Sequence, residues 1–233
     1  MSDSLYVNLG VMMKDFNQKI DKALSRLDEF GDKAIKVGGA MSIGISAPLG
    51  ILYNNMLNLY DVQSKAIAQV ETGLRTTGNA AGFTSQQLQK MASDLQNNSL
   101  FGDEEILQNA TAQLLTFTNI TGEQFARTQQ AALDMSARLD GDLKGAAIRL
   151  GKALNDPVAN LSALGDSGVQ FSKAQKEVIK ALAEGGQMAE AQNIILAELE
   201  RQYGGSAEAA AEAGTGWRTQ LGNILGDVQE SFG

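Results

Sequence analysis

The residue types that do most protein chemistry are missing here: 233 residues contain no histidine and no cysteine. That removes thiolate nucleophiles, disulfides, the commonest zinc ligands and every triad built on an imidazole base. Carboxylates and oxygen-lined loops remain. Glu71, in Val70-Glu71-Thr72-Gly73, is the best-placed single acid for glycosidase-type work, but that chemistry needs two carboxylates flanking the scissile bond. No Gly-Leu-Met-Gln-like segment accompanies it, and four scattered tyrosines with one tryptophan, Trp217, make a poor glycan platform. Glu104-Glu105 reads as negative charge at a helix start. Gly39–Ser46, GAMSIGIS, has the glycine spacing of a phosphate loop, yet Ile45 stands where the lysine belongs. Asp140-Gly141-Asp142 opens like a calcium loop, but Gly151 occupies the closing carboxylate position. It reads as a turn that caps the next helix. The expectation is therefore no catalytic residue, no metal ligand and no cofactor.

These residues must be carried by helices. Aromatics make up only 6% of the chain, and the two prolines, Pro48 and Pro157, leave long stretches free of breakers. The net charge of -8 is uneven. Residues 1–100 hold nine Lys/Arg and nine Asp/Glu, and residues 101–233 hold ten against eighteen. An acidic second half without a basic cluster argues against a nucleic-acid partner. The opening MSDSLYVNLG has no basic region leading into an apolar core, so no secretory signal is expected.

Apolar residues at Leu5, Leu9, Met12 and Phe16, then Ile20, Ala23, Leu27, Phe30, Ala34 and Val37, predict a long amphipathic helix. The later spacings alternate four and three, a heptad seam suited to self-association. The seam positions are Phe16, Ile20, Ala23, Leu27, Phe30, Ala34 and Val37. Residues 37–60 carry no charge and are long enough to span a bilayer. Pro48, the glycines and Asn54, Asn55 and Asn58 dilute that signal and favour a buried helix. A second helix is expected from Leu49 to Thr72, with Leu52, Met56, Leu59, Val62, Ala66 and Val70 on one side.

Beyond it the texture changes to short helices, expected near 84–97, 103–117, 121–139, 142–154, 157–164, 172–184 and 187–203. Thr84 with Gln87, Thr121 with Gln124, and Ser172 with Gln175 fit the capping box. Asp103 and Asp156 fit N-caps, the latter followed by Pro157 at the first helical position. Leu150, Leu154, Leu161 and Leu164 are expected to form core around Pro157. No strict alternation predicts a strand. The fold class is all-α, a long N-terminal helix followed by a bundle of shorter ones. Three regions are expected: a helical arm over 1–72, a compact multi-helix domain over 73–203, and a helical segment over 204–233 leading into a longer chain.

Four strings carry more information than composition. They are GFTSQQLQKMASDL (Gly82–Leu95), LLTFTNITGEQFAR (Leu114–Arg127), LGKALNDPVANLSALGDSGVQFSKAQKEVIKAL (Leu150–Leu182) and AQNIILAELERQYGG (Ala191–Gly205). In that order they resemble the N-terminal region of bacteriophage tail tape measure proteins. Weaker likeness starts at Gly38–Leu49, so the resemblance covers roughly residues 38–230. Its most specific positions are Leu150, Gly151, Lys152, Leu154, Asp156 and Pro157, then Gly168 and Phe171.

The resemblance implies a structural tail protein of the virion, assembled in the host cytoplasm, that sets tail length inside the tube and assists DNA ejection. It also implies a homo-oligomer of three or six copies, with the tail tube protein and tail assembly chaperones as partners and transient membrane contact during ejection. Even as one continuous helix the chain would reach only about 350 Å, which points to a piece of a longer polypeptide. The alternative is an envelope-active phage protein, either peptidoglycan-cleaving or membrane-penetrating. A small secreted helical hairpin is a distant third, because Gly216-Trp217 lacks the glycine that class requires at Thr219.

Overall fold

The computed structural model describes residues 61–213 and Thr219. All of these except Asp61 belong to one of the chain's two compact units, Val62–Ile224. The N-terminal arm, its seam and the uncharged stretch 37–60 lie outside the described residues. So do Gly39–Ser46 and Gly216-Trp217.

Every regular element among the described residues is helical. Helix α1 covers residues 61–76 and α2 covers Ser85–Gln96. Next come α3 (Asp103–Ile106), a π-helical segment (Leu107–Thr111) and α4 (Ala112–Leu114), in one continuous rod. Then follow α5 (Gly122–Arg138), α6 (Leu143–Asn155), α7 (Pro157–Asn160) and α8 (Ser162–Gly165). The last three are α9 (Lys173–Glu184), α10 (Met188–Tyr203) and α11 (Ser206–Glu212).

Local chemistry sets most starts. Both halves of the capping box form at Thr84/Gln87 before α2 and at Ser172/Gln175 before α9. Each satisfies two of the donors that a helix N-terminus leaves open. Asp142 caps α6 by accepting from the Gly145 N–H at 2.8 Å, and Asp156 caps α7 by accepting from the Ala159 N–H at 3.1 Å. Pro157 sits in the first turn, where its missing N–H costs nothing.

Two expected caps are replaced by contacts from elsewhere. Thr121 makes no side-chain cap. The Gly122 N–H donates to the Ala81 carbonyl at 3.0 Å, and the Gln124 amide points across to Asn193 at 3.4 Å. Asp103 is the first residue of α3 rather than its cap. Its N–H is taken by the buried Gln96 side chain at 2.7 Å, and its carboxylate accepts from Gln63 at 3.4 Å. Asp103, Glu104 and Glu105 still place negative charge at the positive end of the helix dipole.

Three helices depart from their expected shape. The span 103–117 contains the π segment, where the Ala112 N–H reaches back five residues to the Leu107 carbonyl. The span 157–164 divides at Leu161 into two single turns. Helix α1 runs past Thr72 to residue 76. On it Ala66 and Val70 are buried, but Val62 is 39% exposed. Steps of four outrun a 3.6-residue turn by about 40° each, so Val62 has rotated off the buried face that Val70 defines.

The core is centred on α5, which packs against α6, α10 and α11. Phe125, Leu133 and Met135 are fully buried on it, in one cluster with Leu150 and Leu154 of α6 and Ile195, Leu196 and Leu199 of α10. Each large apolar side chain closed off this way contributes about 1.5–3 kcal/mol. Phe83 tilts against Phe125 with ring centroids 5.7 Å apart. Inside this apolar shell Thr111 donates to Gln129 at 2.6 Å, so the buried amide and hydroxyl satisfy each other.

Candidate interaction surface

The most specific positions of the third string, Leu150 to Pro157, lie at the joint between α6 and α7. Leu150, Gly151, Leu154 and Pro157 are buried there, and Leu161 and Leu164 complete the expected core. Lys152 and Asp156 are exposed. Gly151 admits a neighbour: a Cβ built on it would lie 2.1 Å from the Phe117 ring. The helix can carry no side chain at that point without displacing an aromatic.

A helix that stops leaves carbonyls without partners. At the end of α6 the Leu154 carbonyl accepts from the buried Gln192 amide at 3.0 Å, and the same amide reaches the Asn119 carbonyl at 2.8 Å. Asn119 also bonds Asn155 twice, donating from its backbone N–H at 3.1 Å and from its side chain at 2.9 Å. Gln192 thus ties α10, α6 and the loop before α5 together. Its role was not singled out from the sequence. The available signal is an amide next to Ala191 and one turn before Ile195 and Leu196, on a face that is otherwise apolar.

Gly168 and Phe171 belong to the loop between α8 and α9. Phe171 and Val169 are buried, whereas Gly168 is exposed at a φ of 88°. Two neighbouring residues of α10 pin this loop. Gln202 donates to the Gln170 carbonyl at 2.8 Å and accepts from its N–H at 3.1 Å, and the Tyr203 hydroxyl donates to the Ser167 carbonyl at 2.8 Å.

Beneath the loop Glu198 is a buried carboxylate surrounded by donors. Arg201 and Gln202 both donate to it, and Gln175 of α9 donates at 2.9 Å. The Arg201 hydrogen bond, helped by the two amides and the guanidinium charge, outweighs desolvation and holds the carboxyl down at about 2. Glu105 moves the other way, its pKa raised by burial.

Among the described residues, two concavities open to the surface. One is a groove of about 820 Å³ between α1 and the π-bearing rod, lined by Lys65, Gln69, Thr72, Asn109, Gln113 and Lys144, among others. The Gln113 amide donates to the Gln108 carbonyl there at 3.1 Å, beside the widened turn. The other, about 310 Å³, brings together Asp140, Asp142, Asp166 and Arg149. Asp142 is already engaged by the Gly145 N–H and by Arg149 at 3.6 Å. Among the described residues no group of three or more carboxylates is arranged to hold a metal ion. Glu71 stands exposed on α1. Among the described residues, too, no helix is long and apolar enough to cross a membrane.

What these parts make is an all-helical module whose named positions serve joints, loops and packing. The model of the prophage tail length tape measure protein family matches residues 22–180. The chain belongs to this family, a structural component of phage tails concerned with tail length. No curated protein and no solved structure gives a significant match to the chain.

Proposed function

We propose that the chain is the N-terminal helical region of a tape measure protein, a non-enzymatic tail component that works by protein–protein contact in the tube lumen and assists DNA ejection. The family match over residues 22–180 carries this reading. The fold supports a division of labour within it. A helical ruler gains about 1.5 Å per residue, but the longest fully described helix has 17 residues and is folded back on its neighbours. Residues 61–213 therefore act as a docking module rather than as measured length.

The proposed partners are other copies of the chain, in threes or sixes, together with the tail tube protein and the tail assembly chaperones. Copies would join along Phe16, Ile20, Ala23, Leu27, Phe30, Ala34 and Val37. Residues 37–60 would touch the membrane only during ejection. The acidic balance of the second half opposes a nucleic-acid surface. Leu27→Asp is expected to lower the solution mass to that of a monomer; an unchanged mass would remove the seam from the interface.

Electron microscopy of lysates from phage lacking this coding segment tests the whole reading. Filled heads without tails, or tails of irregular length, are the expected result. Tails of normal length on particles that fail to infect would overturn the assembly role and move the function to envelope crossing alone.

A further inference from the structure

We propose that α11 is a releasable strap, held on α5 by the Asp134 carboxylate and hinged at Gly204-Gly205. The short helix has no cap of its own, because its N-cap is Gly205. The cap comes from a residue 73 positions earlier: Asp134 accepts from the Ala207 N–H at 2.9 Å. One helical turn further along α5, the Arg138 guanidinium lies 5.7 Å from the ring of Tyr203. Two charged side chains of one helix thus grip the chain on both sides of the glycine pair.

The contact has a particular composition. Only Ala207 and Ala211 are buried from the strap's side, so the strap itself brings two methyl groups to the contact. By contrast α6 buries seven residues, including Leu143, Leu150 and Leu154. Beside the strap's small side chains the strongest single contact is a hydrogen bond to a charged acceptor. Release would return that carboxylate to water, which solvates it well.

The hinge is built for a fixed corner. Gly205 holds a φ of 75°, and a Cβ on Gly204 would come within 2.4 Å of the Glu200 carbonyl oxygen. With α11 docked, the corner sets the direction in which the chain leaves α10. With α11 free, it becomes a joint, and α5, α6 and α10 stay closed. Segments held by few apolar contacts are the ones that open without global unfolding.

The absence of cysteine makes thiol labelling clean. Three single variants of the full chain would be prepared: Ala207→Cys, Ala211→Cys and, as a reporter of global opening, the fully buried Ala147→Cys of α6. In native buffer a disulfide reagent is expected to label the two strap thiols on the order of a hundredfold faster than the reporter. Adding Asp134→Ala should speed both strap thiols by about ten- to a hundredfold, the factor that matches a hydrogen bond to a charged group. The reporter should not change. Asp134→Asn should fall between, and Gly205→Ala should free the strap from the hinge side.

Equal labelling of all three thiols would overturn the proposal. So would an Asp134→Ala effect shared by the reporter, or a Gly205→Ala chain whose strap thiols stay protected.

Discussion

Helices α5 and α9 announce themselves almost equally well in the sequence and end in very different surroundings. Helix α5 buries nine of its 17 residues, including the polar Thr128, Gln129, Asp134 and Ser136. Helix α9 buries only Ile179 among 12. Both have a clear apolar stripe. The difference comes from neighbours: α5 packs against α6, α10 and α11, whereas α9 leans on α10 and α7. Periodicity tells which side of a helix faces inward, and the number of elements stacked against it decides how much of the circumference follows. Val178 of α9 and Val158 of α7 show the outcome, remaining 49% and 48% exposed.

The contrast can be broken most directly at Phe125. Phe125→Ala on α5 is expected to cost about 3–5 kcal/mol in urea unfolding. A loss below about 1.5 kcal/mol would mean that α5 is not the centre of the core.

Next in size is the contact that joins α9 to α10. Glu198→Gln removes the charge that Arg201 holds, and is expected to cost about 1–3 kcal/mol near neutral pH. Because the Glu198 carboxyl is depressed from 4.5 to about 2 in the fold, its contribution is complete above about pH 4.5. It is lost as pH falls from there toward 2, when the folded carboxylate takes up its proton. The variant's unfolding midpoint should be flatter than the parent's over that window. Parallel curves would show that Glu198 does not carry the acid sensitivity.

The helix starts give a smaller, sharper test. Ser172→Ala ahead of α9 is expected to cost about 1 kcal/mol, because both halves of the capping box exist there. Thr121→Ala ahead of α5 should change unfolding by less than about 0.5 kcal/mol, because that hydroxyl caps nothing. Equal costs would refute the assignment. Smallest of all is Val178→Ser, expected within about 0.5 kcal/mol on a half-exposed face. A larger loss would mean that something covers α9 in solution.

The sequence was most legible where a signal and its partner lie within one turn. Thr84, Asp142, Asp156 and Ser172 all cap as their spacing suggests, and Leu150, Leu154, Leu161 and Leu164 are buried around Pro157. It failed where the partner is distant. Thr121 has the right motif, but Gln124 is drawn to Asn193, 69 residues away. Asp103 has the right type, but Gln96 already serves the helix start. Gln192 and Asp134 join distant elements, and both act on carbonyls or amides that no local pattern identifies. The family was recognisable from ordered strings of residues, although none of them marks a reaction.

The widened turn at Leu107–Thr111 has a consequence for insertions and deletions. Elsewhere in a helix, losing one residue rotates everything beyond it by about 100° and turns a buried face outward. Here the Ala112 N–H already spans five residues to the Leu107 carbonyl. Removing one residue from this segment would close it to an ordinary turn and leave Ile106 and Leu114, on either side, facing the same core. The rod over 103–114 thus holds a spare residue. A one-codon deletion should be tolerated there and should unfold the protein if made in α5.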